Sequence, residues 1–234
     1  MPLFVLAGQV VESQKLIHLK NRVRQRGVQE SETEGLIKSI VKSYSTIKDP
    51  SDFPLILEKL WEEASTKRFG PVVLELPVDM TYKEINTIKS PLKAKKDDFN
   101  QINEDSDKLD SLVDKVSKAN LPVFILGNGI RNCSRDIIQK FINFLKDKEF
   151  AYLSTWGSKD LIEEKLGKEL YFGSPGIFGS RKANALLYYS DCLISIGCSL
   201  GYTHTGYRVS NINPSTLHII DIDPAQFCKP ELKQ

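Results

Sequence analysis

Residues 121–131, LPVFILGNGIR, form an uninterrupted apolar run that leads directly into a Gly-x-Gly turn. Behind the turn, residues 134–148 place Ile137, Ile138, Phe141, Phe144 and Leu145 at helical spacing. Strand, glycine turn and helix make the opening unit of an open α/β sheet, where ligands sit at the carboxyl ends of the strands. The alternation continues downstream. Residues 150–154 read as a strand closed by Thr155-Trp156-Gly157, and the glycine-rich residues 173–179 precede a helix over 181–189. Strands over 192–196 and 217–220 end at Gly197 and at Asp221-Ile222-Asp223-Pro224. This order predicts a parallel sheet with helices on both faces.

Upstream, residues 3–8 predict a first strand closed by Gly8. Residues 12–28 carry Lys15, Lys20, Arg22, Arg24 and Arg26 and read as a solvated loop or short helix, with phosphate binding the alternative. Gln29-Glu30-Ser31 and Thr33-Glu34 then open a helical pattern at Leu36, Ile37, Ile40 and Val41. Asp49-Pro50-Ser51-Asp52 starts a second helix, capped by Ser51 or Asp52, with Phe53, Ile56, Leu57, Leu60, Trp61 and Ala64 on one stripe. Phe69-Gly70-Pro71 stops it before a buried strand over 72–76 that ends at Pro77. Residues 83–104 are charged and without period. They predict a linker, placed at 86–104, between a first region (1–85) and a second (105–234) that opens on a helix with Leu109, Leu112, Val113 and Val116.

Composition narrows the function classes. A net charge of +2 argues against nucleic acid or an anionic membrane as partner. No apolar run reaches the roughly 18 residues of a membrane span. The start, MPLFVLAGQVVES, lacks the basic leader of a secretion signal, so a cytoplasmic protein is expected. Cys133, Cys192, Cys198 and Cys228 have no metal-type spacing and are expected as free thiols, with no metal ligands. His18, His204 and His218 stand in three separate elements without a carboxylate or cysteine nearby. No Ser-His-Asp order, nucleophile elbow, HExxH or Walker loop occurs. The candidate ligand contacts therefore all lie at strand ends, with Asp221 of the type that binds a ribose hydroxyl. Bland alternatives remain. Asn132 stands where a dinucleotide fingerprint has its third glycine, residues 173–179 fit an irregular loop, and Asp221 and Asp223 fit caps.

Taken together, PLFVLAGQV, RQRGVQESETEGLIKSIVKSYSTIKDP and RFGPVVLELPVDM resemble the second half of the pyrimidine-binding domain of thiamine-diphosphate enzymes of the acetolactate synthase group. PVFILGNGIR, STWGSKDLI, YFGSPGIFGSRKANALLYYSDCLISIGCSL and IIDIDPAQFCKP resemble that group's central domain. The resemblance implies an α/β fold with a partial pyrimidine-binding domain followed by a Rossmann-like central domain. It implies thiamine diphosphate and Mg2+ as cofactors of the complete enzyme, a 2-oxo acid as substrate, and a homodimer or homotetramer. The resemblance implies that family's chemistry: addition of the cofactor's ylide to a 2-oxo acid, loss of carbon dioxide, and transfer of the enamine to a second carbonyl compound. Gln29, in GVQE, matches a position near the active site. FAD in the central domain would touch Gly127, Asn128, Gly129, Thr155, Trp156, Gly176, Ile177, Phe178, Gly197, Asp221 and Ile222. Residues 199–204 replace the arginine- and aspartate-rich segment that grips the flavin, and Val78 replaces a lysine frequent in acetolactate synthases, which leans towards related decarboxylases or ligases. The family's glutamate on the aminopyrimidine and its GDG-to-Asn motif have no counterpart here. The expectation is a piece of a longer enzyme, inactive alone; the alternative is a stand-alone nucleotide-binding or regulatory module.

Overall fold

The computed structural model describes residues 2–15, 26–66, 68–85, 106–163, 170–208 and 212–230. The expected linker, His18, and the basic Lys20, Arg22 and Arg24 lie outside the described residues. The chain divides into two compact units, Met1–Ile102 and Asn103–Gln234.

The second unit begins with α4 (Ser106–Lys118) and continues through β4 (Pro122–Leu126), α5 (Arg135–Asp147), β5 (Ala151–Ser154), α6 (Lys159–Glu163), α7 (Arg181–Tyr189), β6 (Cys192–Ile196), α8 (Tyr202–Thr205) and β7 (Leu217–Ile220). Its four strands are all parallel, in the order β5-β4-β6-β7. The chain steps one way from β4 to β5 and the other way to β6, so a topological switch point lies between β4 and β6. The unbroken apolar run of β4 has a simple cause: both faces of the strand are covered. Phe124 and Leu126 join Ile142, Leu145, Tyr152 and Ile194 on one face, where Leu112 of α4 and Phe141 of α5 also pack. Val123 and Ile125 meet Leu153, Ala183, Leu187 and Leu193 on the other. The helix expected over 134–148 starts one residue later, because Ser134 is its cap and its hydroxyl accepts the Ile137 N–H at 3.3 Å.

The first unit holds β1 (Leu3–Gln9), α1 (Thr33–Ile37), β2 (Ser43–Thr46), α2 (Phe53–Ser65), β3 (Pro71–Pro77) and α3 (Val78–Thr81). Its strands are parallel, in the order β1-β3-β2. The stripe of α2 covers one face, packing Leu60 and Ala64 on Val72, Leu74 and Ile47. The helical pattern expected from Leu36 to Val41 shrinks to the five residues of α1. The chain is claimed instead by β3: the Lys42 N–H donates to the Pro71 carbonyl at 2.7 Å, and the polar segment SYST follows as β2 beside Val72–Glu75. Pairing with a buried central strand overrides the local preference.

Candidate functional site

In a parallel sheet the carboxyl ends of all strands share one edge, so the turns after β5, β4, β6 and β7 stand side by side in the second unit. The turn after β4 is a 3-10 turn over Asn128–Asn132. Its glycines are explained by a close approach to the turn after β6. A Cβ on Gly127 would lie 2.1 Å from the Gly197 carbonyl oxygen, and one on Gly129 2.7 Å from the Gly197 Cα. Gly197 itself has φ +57°, the left-handed region that glycine tolerates. Backbone hydrogen bonds extend the sheet through these turns. Gly127 N–H donates to Ile196 O at 2.8 Å, Gly129 N–H to Gly197 O at 2.9 Å, and Gly197 N–H to Ile220 O at 2.8 Å.

On the β5 side the edge is tied by side chains. Thr155 is buried; its N–H donates to Leu126 O at 3.0 Å, and its hydroxyl meets that of Ser158 at 3.2 Å. Arg131 forms a two-pronged pair with Asp160 at 2.7 and 3.0 Å while donating to Gly157 O at 2.8 Å and Asn128 Oδ1 at 3.2 Å. The Asp160 carboxylate raises the Arg131 pKa, and the Arg131 guanidinium lowers that of Asp160. Asn128 is therefore engaged by its own neighbour.

The passage before α7 is fixed in a similar way. Gly176 has φ +106°, and a Cβ there would sit 1.9 Å from Thr203 O. Asn184 of α7 brackets it, accepting the Gly176 N–H at 2.7 Å and donating to its carbonyl at 3.0 Å. Phe178, two residues on, packs against Trp156, with ring centroids 5.6 Å apart. The pair helps to line a cavity of about 200 Å³, with Lys159, Tyr171, Ser174 and Ser180 among its other walls. Tyr171 stacks on Tyr152 and shares a 2.6 Å hydrogen bond with Ser154. Burial, with Tyr171 beside it, pushes the Tyr152 phenol up to about 12.

Asp221 and Ile222 close the edge at β7. Asp221 Oδ1 accepts the Asp223 N–H at 2.9 Å, and Asp223 in turn caps the 3-10 turn Pro224–Cys228. Ile177 and Ile222 are exposed. The structure thus brings Gly127, Asn128, Gly129, Thr155, Gly197, Asp221 and Ile222 to one edge, and pairs Trp156 with Phe178 at the cavity. His204 is half-buried; burial depresses its pKa, and its Nδ1 is buried without a hydrogen-bond partner.

In the first unit, Gln29 is exposed in a tight turn at φ +63°, with the Glu30 N–H donating to Gly27 O at 3.3 Å. The more structured polar group there is Glu75, almost fully buried in β3. Lys15 Nζ lies 3.1 Å from its Oε1 and Gln9 Nε2 3.2 Å from its Oε2, with the Thr46 hydroxyl at 3.4 Å. Burial alone would raise its pKa, but hydrogen bonds from Thr33, Lys15 and Tyr44 bring it below the ordinary value. The single carboxylate inside the otherwise apolar run VVLELP is the sequence signal for this cluster.

Among the described residues no three His, Cys, Asp or Glu side chains converge to hold a metal ion. The Gly127, Gly129 and Gly197 amides each donate to a carbonyl of the sheet edge.

The family described as thiamine pyrophosphate enzyme, central domain, matches residues 109–231, the helices and strands of the second unit. The chain belongs to the thiamine pyrophosphate enzymes. It is 30% identical to a probable acetolactate synthase large subunit of Methanococcus aeolicus over 97% of this chain and 37% of that protein. It is 26% identical to the acetolactate synthase large subunit of Lactococcus lactis over 98% of this chain and 38% of the relative. A glyoxylate carboligase of Escherichia coli matches at 24% identity over 97% of this chain and 36% of the relative. The chain thus spans somewhat more than a third of the length of these relatives. No helix among the described residues is long and apolar enough to cross a membrane.

Proposed function

We propose that this chain supplies the central domain and the Gln29-bearing part of the pyrimidine-binding domain to a thiamine-diphosphate-dependent carboligase acting on 2-oxo acids. The observation that carries this reading is the extent of the likeness: relatives named acetolactate synthase and glyoxylate carboligase align over 97% or more of the chain, across both units. Bound thiamine diphosphate would supply the carbanion chemistry, with Mg2+ holding its diphosphate. The chain's own contribution is to present Gln29 towards that chemistry and to carry the central fold. Because Val78 stands where the resemblance expects a lysine, and the relatives include a glyoxylate carboligase, the acceptor is left as a carbonyl compound. The working enzyme is a homodimer or homotetramer in the cytoplasm, and the 234 residues by themselves are inactive.

Two assays test this. The protein captured from its own cells with an antibody to the second unit should release carbon dioxide from pyruvate or glyoxylate with thiamine diphosphate and Mg2+. No release from either acid would end the carboligase reading. The purified 234-residue chain should release none, and turnover by it would end the claim of inactivity alone.

A further inference from the structure

Glu75 lies almost fully buried in β3, a strand whose other residues are apolar. An ionised carboxylate taken out of water is costly unless partners meet its oxygens, and an apolar residue would fill the same place at less cost. Its partners show what the group does. Gln9, buried at the end of β1, accepts the Val10 N–H with its side-chain oxygen at 2.9 Å. That fixes the amide so that Nε2 donates to Glu75 Oε2 at 3.2 Å and to the Ser31 carbonyl at 2.8 Å. The Thr33 hydroxyl bonds the same carboxylate, and Lys15 reaches Oε1 at 3.1 Å. Ser31 and Thr33 stand two and four residues after Gln29, so the cluster grips the segment that carries it. Gln29 itself has φ +63°, a strained conformation for a residue with a side chain, which persists where the surroundings over-determine it. On one side the turn is closed by Glu30, whose Oε2 accepts the Gly27 N–H at 3.0 Å and the Arg26 N–H at 3.2 Å. Gly27 sits tight on Val10, where a Cβ would come within 2.8 Å of Cγ1. On the other side the ties are those of Ser31 to Gln9 and of Thr33 to Glu75.

We propose that Glu75 is a positioning residue: through Gln9 and Thr33 its buried carboxylate holds the Gln29 turn in its left-handed conformation, so that Gln29 is presented in one fixed direction. What Gln29 faces rests on the carboligase reading, whereas the holding is a property of the first unit alone.

The test reads amide exchange by NMR on the full chain at Gly27 and Glu30, whose N–H groups close the turn. Glu75→Gln should speed both roughly tenfold or more, the scale of losing a hydrogen bond to a charged group. Gln9→Met keeps Glu75 and Lys15 and cuts the tie to Ser31. It should act by a similar factor, and it decides the matter where Glu75→Gln does not fold. Ile56→Val in α2 changes the apolar layer of the same unit and should leave both rates within about twofold, because the turn opens locally. Unchanged rates in Gln9→Met, or equal acceleration in Ile56→Val, would overturn the proposal. In the protein captured from its own cells, Glu75→Gln and Gln29→Ala should each slow carbon dioxide release, and the double substitution no more than the larger single one. A double variant slowed by the product of the two factors would overturn action through Gln29. Should the unsubstituted protein release no carbon dioxide, the carboligase reading ends, and the exchange rates still decide on Glu75.

Discussion

The two units use the same parallel-sheet grammar and finish it differently. In the second unit both faces of the sheet are apolar and covered, with Phe124 and Leu126 on one side and Val123 and Ile125 on the other. In the first, α2 covers one face only, while the opposite side of β3 carries Glu75 and its polar partners. Leu3 and Leu6 of β1 are 48% and 61% exposed. A sheet sealed on both sides is held by burial, which is nondirectional and tolerant. A sheet with a buried carboxylate depends on each partner of that group being present.

The largest expected effect follows from separating the units. Residues 103–234 expressed alone should stay monomeric and melt cooperatively, whereas residues 1–102 should self-associate through the exposed β1 edge. Size-exclusion chromatography with light scattering decides this, and a monodisperse, cooperatively melting 1–102 would remove the distinction. A smaller contrast concerns glycine. Gly127→Ala places a methyl against the Gly197 backbone and should cost about 3 kcal/mol or more, at the upper end for overpacking. Gly8→Ala meets nothing within 4 Å and should be neutral or stabilise by about 0.5–1 kcal/mol, as for glycine in a strand. Urea titration measures both.

Acid should separate the units in the same way. Burial depresses the pKa of His204 and of His218, so their unfolded forms take up protons first, near the ordinary 6.5. Stability they support is intact above that pH and falls as the pH drops below it. Glu75 is depressed from 4.5, so its contribution is intact above 4.5 and lost as the pH falls through its lower folded value. Trp61 and Trp156 each report on one unit. Melts of Trp61→Phe and Trp156→Phe chains should therefore show the second unit weakening between pH 7.5 and 5.5 while the first holds. Glu75→Gln should remove the first unit's acid step and cost about 1–3 kcal/mol for the partners left unsatisfied. The smallest effect is expected at the exposed Arg131, where Arg131→Ala should leave the melting temperature within a degree or so, as exposed ion pairs contribute little.

The apolar runs made β4, β6 and β7 legible, as did the helical stripes of α2 and α5, because burial writes itself into periodicity. Strand β2 was not legible: SYST has no apolar residue, and its place is set by Val72 and Leu74 on the neighbouring strand. The turns were legible as turns, but their chemistry was not. Gly127-Asn128-Gly129 reads equally as a phosphate cradle or as a packing contact, and only the position of Gly197, about 70 residues on, distinguishes them. The Trp156–Phe178 pair was likewise visible as two residues and invisible as a pair, since the two rings stand 22 positions apart in the chain and meet only in the folded unit.

Native-state hydrogen exchange on the full chain, with and without FAD, tests most directly whether the strand-end glycines serve the fold. The Gly127, Gly129 and Gly197 amides should exchange as slowly as those within β4 and β6, and FAD should leave their rates unchanged. Rapid exchange at these three amides, slowed when FAD is added, would contradict it and return the glycine turns to the role of a dinucleotide cradle.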